Sequence, residues 1–149
     1  MKKYIGSKIV QAEPMRRSAW HESKGWPIPM EEGWDGEGYK VRYEDGYESW
    51  SPEKVFEAAY RRTDGLSFGL ALEAAKMGRK IARKGWNGKD QYVVLGRGFA
   101  YFTSGEMLYD AHHEDIGSKA LVFVGTRGSQ VGWLASQADM LADDWMILE

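Results

Sequence analysis

The sequence predicts an α+β fold: an antiparallel sheet with a helix at the start of the C-terminal domain, plus a small N-terminal β-hairpin and helix module. Three observations lead there. Short runs alternate apolar and polar side chains at period two, as Tyr39-Lys40-Val41-Arg42-Tyr43 does, which suits half-buried strands. Asp45-Gly46 and Thr126-Arg127-Gly128 supply tight turns between such runs, so the strands they join run antiparallel. Apolar residues at helical spacing follow Ser51-Pro52 and Ser67, separated from the strands rather than alternating with them.

The elements follow in order. Lys3 to Met15 opens as a strand, with Ile5, Ser7, Ile9 and Gln11 on one face, and Pro14 ends it. Arg16 to Lys24 reads as a short helix or a loop, with Ser18 as a candidate cap. Gly25 to Gly38 carries Trp26, Pro27, Pro29 and Trp34 and reads as an ordered loop, because its aromatic rings need a surface to cover. After Tyr39–Tyr43, Asp45-Gly46 predicts a hairpin turn with positive φ at both central residues, and Tyr47 to Trp50 returns. Ser51 is then expected to cap a helix with Pro52 at its first position and Val55, Phe56, Ala59 and Tyr60 as its apolar stripe.

Thr63-Asp64-Gly65 closes that helix and marks the expected boundary, giving an N-terminal module over 1–64 and a second domain over 65–149. Ser67 caps the next helix, in which Phe68, Ala71, Leu72 and Ala75 share a stripe, and Gly78 stops it. Strands are expected at Lys80–Arg83, Gln91–Leu95, Phe99–Thr103, Lys119–Val124, Ser129–Leu134 and Asp144–Leu148. Between the last two, Ser136 is an N-cap with Asp139 in the first turn, where a carboxylate suits the helix dipole. Leu134, Met140 and Leu141 are expected to face inward.

Composition narrows the function. With 20 basic against 22 acidic residues and no long basic run, binding to polymeric nucleic acid is disfavoured. The absence of cysteine removes disulfides, thiol catalysis and zinc thiolate sites, and fits a reducing cytoplasm. No run approaches the roughly 18 apolar residues a membrane span needs, and the leading residues lack the apolar core of a signal peptide. Seven tryptophans and eight tyrosines are many for 149 residues, and such side chains fill cores or mark recognition surfaces.

Two stretches carry the chemistry. Trp133-Leu134-Ala135-Ser136-Gln137-Ala138-Asp139-Met140-Leu141-Ala142-Asp143-Asp144-Trp145 brackets polar and acidic side chains with two indoles, a mixture that suits a ligand with an aromatic face and hydroxyls. Gly85-Trp86-Asn87-Gly88 is a second tryptophan turn, whose glycines leave the indole beside exposed amides, with Arg83 and Lys84 just before it. Trp145 reads as core. His112-His113-Glu114-Asp115 is a poor metal site, since adjacent histidines point apart on a strand. Asp139 and Asp143 stand four apart and share a helical face if the helix reaches that far, but nothing nearby supplies a nucleophile, and capping is the simpler account.

Ser67-Phe68-Gly69-Leu70-Ala71-Leu72-Glu73-Ala74, Lys80 through Lys89 and Trp133 through Trp145 resemble, in that order, the Thoeris anti-defence two family of phage proteins. The likeness runs from about Leu66 to the end of the chain. It implies a sponge rather than an enzyme: a protein that captures glycocyclic ADP-ribose, the signal of a bacterial TIR-domain protein, in the host cytoplasm. It implies homotetramers with nucleotide pockets between protomers and, in some members, cyclic dinucleotides at a separate site. No cofactor or metal is expected. On such a ligand Trp86 and Trp133 are the stacking candidates, two turns converging within or across subunits to sandwich the purine. Asn87, Gln137 and Asp139 are the polar contacts, and Arg83 is the nearest cation. The rival expectations are an enzyme cleaving the same signal and a protein-binding structural or inhibitory component. Tyr4 to Lys8, Glu13 to Met15 and Gly46 to Pro52 resemble a small phage module of unassigned activity.

Overall fold

The computed structural model describes residues 1–86, 90–98, 100–103, 105–109 and 119–149, of which 100–103 and 106–109 are described by backbone alone. It is an α+β chain whose contacts divide it into two units, Met1–Arg61 and Arg62–Glu149. Residues just past Arg61 belong with the second unit, because Thr63 accepts from the Ile147 N–H and Leu66 bridges Trp145.

The first unit is a three-stranded antiparallel sheet in the order β1 (Gln11–Pro14), β2 (Gly38–Arg42), β3 (Glu48–Pro52), with helices α1 (Arg17–Lys24) and α2 (Glu53–Ala59). The opening strand is much shorter than expected. Gln11 lies opposite Arg42, and β2 then turns into its hairpin, so Met1–Val10 pair with no strand among the described residues. Arg17–Lys24 is a helix, but Ser18 is not its cap: Arg16 holds that position, and the Ser18 N–H and hydroxyl both donate to Asp35. Gly25 ends α1 in the left-handed conformation.

The β2–β3 hairpin has three loop residues, not two. Gly46 N–H donates to Tyr43 and Tyr43 N–H to Tyr47, while only Gly46 has positive φ, at 85°. That is a type I turn followed by a left-handed residue, which Asp45 reinforces by accepting from Tyr47 N–H. Helix α2 starts one residue late, because Ser51 is still paired with Tyr39 and Pro52 takes the cap position. Phe56 stacks on Tyr39 and Tyr60, but Val55 is exposed. In the loop after α1, Trp34 packs edge-on against His21 beneath the Arg17 guanidinium. Trp26 meets Trp20 and His21 edge-on yet keeps 52% of its surface exposed.

The second unit is a five-stranded antiparallel sheet in the order β10-β4-β5-β8-β9. The strands are β4 (Lys80–Arg83), β5 (Tyr92–Arg97), β8 (Lys119–Gly125), β9 (Gly128–Val131) and β10 (Trp145–Leu148); β6 (Ala100–Thr103) and β7 (Glu106–Tyr109) form a separate two-stranded pair. Helix α3 (Phe68–Lys76) starts where expected, with Ser67 Oγ accepting from Leu70 N–H. Its inward residues are Ala71, Ala74 and Ala75, all buried. Methyl-sized side chains bring the helix close to the sheet and leave room for Trp145, which is 0% exposed among Leu66, Ile81 and Val93.

Strand β9 stops at Val131 because Gly132 turns at a φ of 80°, and Gly132 and Trp133 both donate to Leu121 O. Helix α4 (Gln137–Met140) is a single turn. It ends before Asp143, so Asp139 and Asp143 share no helical face. Leu134 and Leu141 do not face inward: they are 88% and 79% exposed, and Met140 is 40% exposed. One turn buries little, and the space beneath it is taken by Ala142 and by Trp145, whose indole N–H donates to Asp139 O.

Candidate functional site

Strand β4 delivers Arg83, and the turn after it places Trp86. The segment from β9 into α4 delivers Trp133, and β10 begins with Trp145. The three indoles meet. Trp86 is 6.0 Å from Trp133 and 5.5 Å from Trp145 between ring centroids, both edge to face, and Trp133 is 6.2 Å from Trp145. Phe123 of β8 closes the other side of Trp86 at 5.5 Å. Trp145 is the sealed centre of this cluster, as its core reading required, while Trp86 and Trp133 are partly buried and keep an accessible part.

The two predicted indoles therefore converge, but not as a clamp. Rings touching edge to face leave no parallel slot between them, so a purine sandwiched by both within one chain is excluded. What the pair offers within one chain is a wall of two indoles, each with part of its surface accessible.

Arg83 is already engaged. Its Nε donates to Asp144 Oδ1 at 2.8 Å, and a terminal nitrogen donates to Asp139 Oδ1 at 2.9 Å. Asp144 first and Asp139 second raise the guanidinium above its ordinary pKa. Asp144 lies below its ordinary value chiefly through the bond from Arg83. Burial pushes Asp139 upward, but bonds from the Ser136 hydroxyl, Arg83 and the Ser136 N–H outweigh it and leave the carboxyl lowered.

Asp139 is also one half of a capping box. Its Oδ2 accepts from Ser136 N–H at 3.1 Å and from the Ser136 hydroxyl at 2.7 Å, while its own N–H donates back to Ser136 Oγ. Arg83 and Asp139, expected as ligand contacts, are thus joined to each other and hold the wall together. The guanidinium ties the strand before Trp86 to the helix after Trp133 and to the residue before Trp145. Gln137 is exposed on the first turn of α4. Asn87 lies outside the described residues, as does the His112–Asp115 run. Among the described residues no group of three His, Asp or Glu side chains is placed to hold a metal ion, and no helix is long and apolar enough to cross a membrane.

Residues 66–148 match the Thoeris anti-defense 2-like domain family. The chain belongs to that family. A relative of the same description, Thoeris anti-defense 2 of Bacillus phage SP01, is 32% identical over 84 residues, which is 56% of this chain and 94% of that protein. Membership supports a phage anti-defence role. The whole aromatic cluster and the Arg83 clamp fall inside the Thoeris anti-defense 2-like segment, and Met1–Arg61 falls outside it.

Two site residues escaped the sequence reading. Phe123 shares a face of β8 with Leu121, and its ring lies over Gly125, where an added Cβ would sit 2.8 Å from it. The glycine two residues on was the available signal. Asp144 stands in the sequence as the first residue of the expected last strand, and nothing local pairs it with an arginine 61 positions away.

Proposed function

We propose that the chain is a phage sponge: it binds a cyclic ADP-ribose-type immune signal, glycocyclic ADP-ribose, and withholds it from its effector without degrading it. The observation that carries the reading is the convergence of Trp86 and Trp133, both partly exposed, inside the segment that matches the family. A purine stacks on an accessible indole for roughly 1–3 kcal/mol. Exposed Gln137 serves the ribose hydroxyls and exposed Lys84 is the adjacent cation for the pyrophosphate. Non-catalytic capture is favoured because Asp139 and Asp144, the acidic groups of the wall, are committed to one guanidinium and held ionised.

The working form is a homotetramer in the host cytoplasm with pockets between protomers. Leu134, next to Trp133 in the chain, and Leu141, at the end of α4, are apolar and exposed and support a further surface closing over this edge. A second protomer would also supply the opposite side that one chain's edge-to-face indoles do not. Cyclic dinucleotides are proposed as ligands of a separate site. Because a ligand that binds only the folded chain stabilises it by mass action, the test is a melting series against cyclic ADP-ribose isomers and cyclic dinucleotides. A rise of several degrees with one isomer is expected, and an unchanged Tm across the panel removes the proposal.

A further inference from the structure

The first ten residues pose a problem that the fold does not solve. Tyr4-Ile5-Gly6-Ser7-Lys8-Ile9-Val10 has the composition of a strand, with β-branched and aromatic residues and charges at its flanks. Yet no backbone hydrogen bond outside the regular elements involves Met1–Val10 among the described residues. Met1, Tyr4 and Ile5 are exposed at 126%, 89% and 102%. The segment runs straight into β1, which is an edge strand. An open depression of about 230 Å³, lined by Gln11, Ala12, Glu13, Lys40 and Arg42, lies along β1 and β2. A strand-forming segment exposed at all but the half-buried Ser7 and Val10, and continuous with a sheet edge, is a template for another chain.

The order of the side chains says which chain. Apolar pairs stand symmetrically about Ser7: Tyr4-Ile5 before it and Ile9-Val10 after it, with Gly6 and Lys8 between. In an antiparallel pair related by a two-fold axis normal to the sheet, opposed residues must share a face, so their numbers sum to an even value. Centring the axis on Ser7 satisfies this. It places Tyr4 opposite Val10 of the second copy, Ile5 opposite Ile9, and Lys3 opposite Gln11. Ile5 and Ile9 of both copies then cluster on the Ser7 face, and Tyr4 and Val10 on the other. Lys3 falls diagonally beside Glu13 of the second copy on the same face, a favourable charge pair along the free edge of β1.

We propose that Met1–Val10 is a self-complementary pairing arm, and that its partner is the same arm of a second copy of this chain, antiparallel about Ser7. Each end of the resulting ribbon enters a three-stranded sheet, which supplies the support a lone two-stranded ribbon lacks. The contact is isologous, so it closes at two copies. It lies in the unit outside the family match and stands or falls apart from the signal-binding reading.

The chain contains no cysteine, so single thiols can be introduced without background. Residues directly opposed across an antiparallel pair have Cα atoms about 4.5–5.5 Å apart, within reach of a disulfide. Under mild oxidation of the full chain at micromolar concentration, Ser7→Cys is expected to form a covalent dimer on the order of a thousandfold faster than Ile5→Cys, the ratio of an effective millimolar to a bulk micromolar concentration. An equal mixture of Ile5→Cys and Ile9→Cys chains is expected to link as a heterodimer, while neither links well alone. This register dependence separates arm pairing from crowding of arms by an oligomer formed elsewhere. Ser7→Cys linking no faster than Ile5→Cys, or all three linking equally, overturns the proposal.

Discussion

Removing the guanidinium of Arg83 strands two carboxylates at once. Asp139 and Asp144 are partly buried, and each takes a short bond from it. Arg83→Ala is therefore expected to cost about 1–3 kcal/mol after allowance for solvent screening, read by urea unfolding at neutral pH. Arg83→Lys is expected to recover only part, since an ammonium cannot fork between two carboxylates as a guanidinium does. Unchanged stability in Arg83→Ala would show the clamp to be idle. The indoles divide differently. Trp145→Ala is expected to destabilise by about 3–5 kcal/mol as a core truncation. Trp86→Ala and Trp133→Ala are expected to fold and to weaken ligand capture by roughly five- to a hundredfold, the worth of one stacked base, measured by calorimetric titration. The core role of Trp145 was legible in the sequence, because ring size and flanking turns are local properties, and the expected meeting of Trp86 with Trp133 is found within the chain. The role of Arg83 was not, because its partners lie 56 and 61 residues away.

Among the elements, α4 is a single turn held by its cap. Ser136→Ala is expected to cost about 1 kcal/mol and to loosen the approach to Trp133. Acid acts on the same parts. A carboxyl whose folded pKa is lowered contributes stability above its unfolded value, and that contribution disappears as pH falls through the folded value. Asp139 and Asp144 are both lowered. Asp35, held at about 2 chiefly by the Ser18 N–H, behaves the same way in the first unit. Stability is thus expected to fall as pH drops below about 4, where free carboxylates titrate. That slope should be smaller in Arg83→Ala, and an equal slope would detach Asp139 and Asp144 from it. In the three-stranded sheet, Gly38 sits where a Cβ would lie 2.4 Å from both the Trp50 ring and Ser51 O. Gly38→Ala is expected to lower the melting temperature of that unit by crowding backbone that has nowhere to move. Sequence found the Ser136 cap, the Ser67 cap and Lys80–Arg83, since each is specified within a few residues. It misjudged Lys3–Met15, Ser51 and Leu134, because strand length, helix start and burial depend on where the partner strand or neighbouring element ends.

At the scale of the molecule, the α+β architecture followed from periodicity, turn residues and helix caps. The strand order β10-β4-β5-β8-β9 did not, since it joins segments far apart in the chain. That order is what makes the wall: it sets β10 beside β4, so the turns bearing Trp86 and Trp133 meet over a buried Trp145. The central claim is that this wall keeps a cyclic nucleotide signal and returns it unchanged. The most direct measurement incubates the purified chain with glycocyclic ADP-ribose, removes free ligand, denatures the protein by heat and weighs what is released by mass spectrometry. The account predicts near-stoichiometric release of the intact molecule; release of a hydrolysed product, or of nothing, would contradict it.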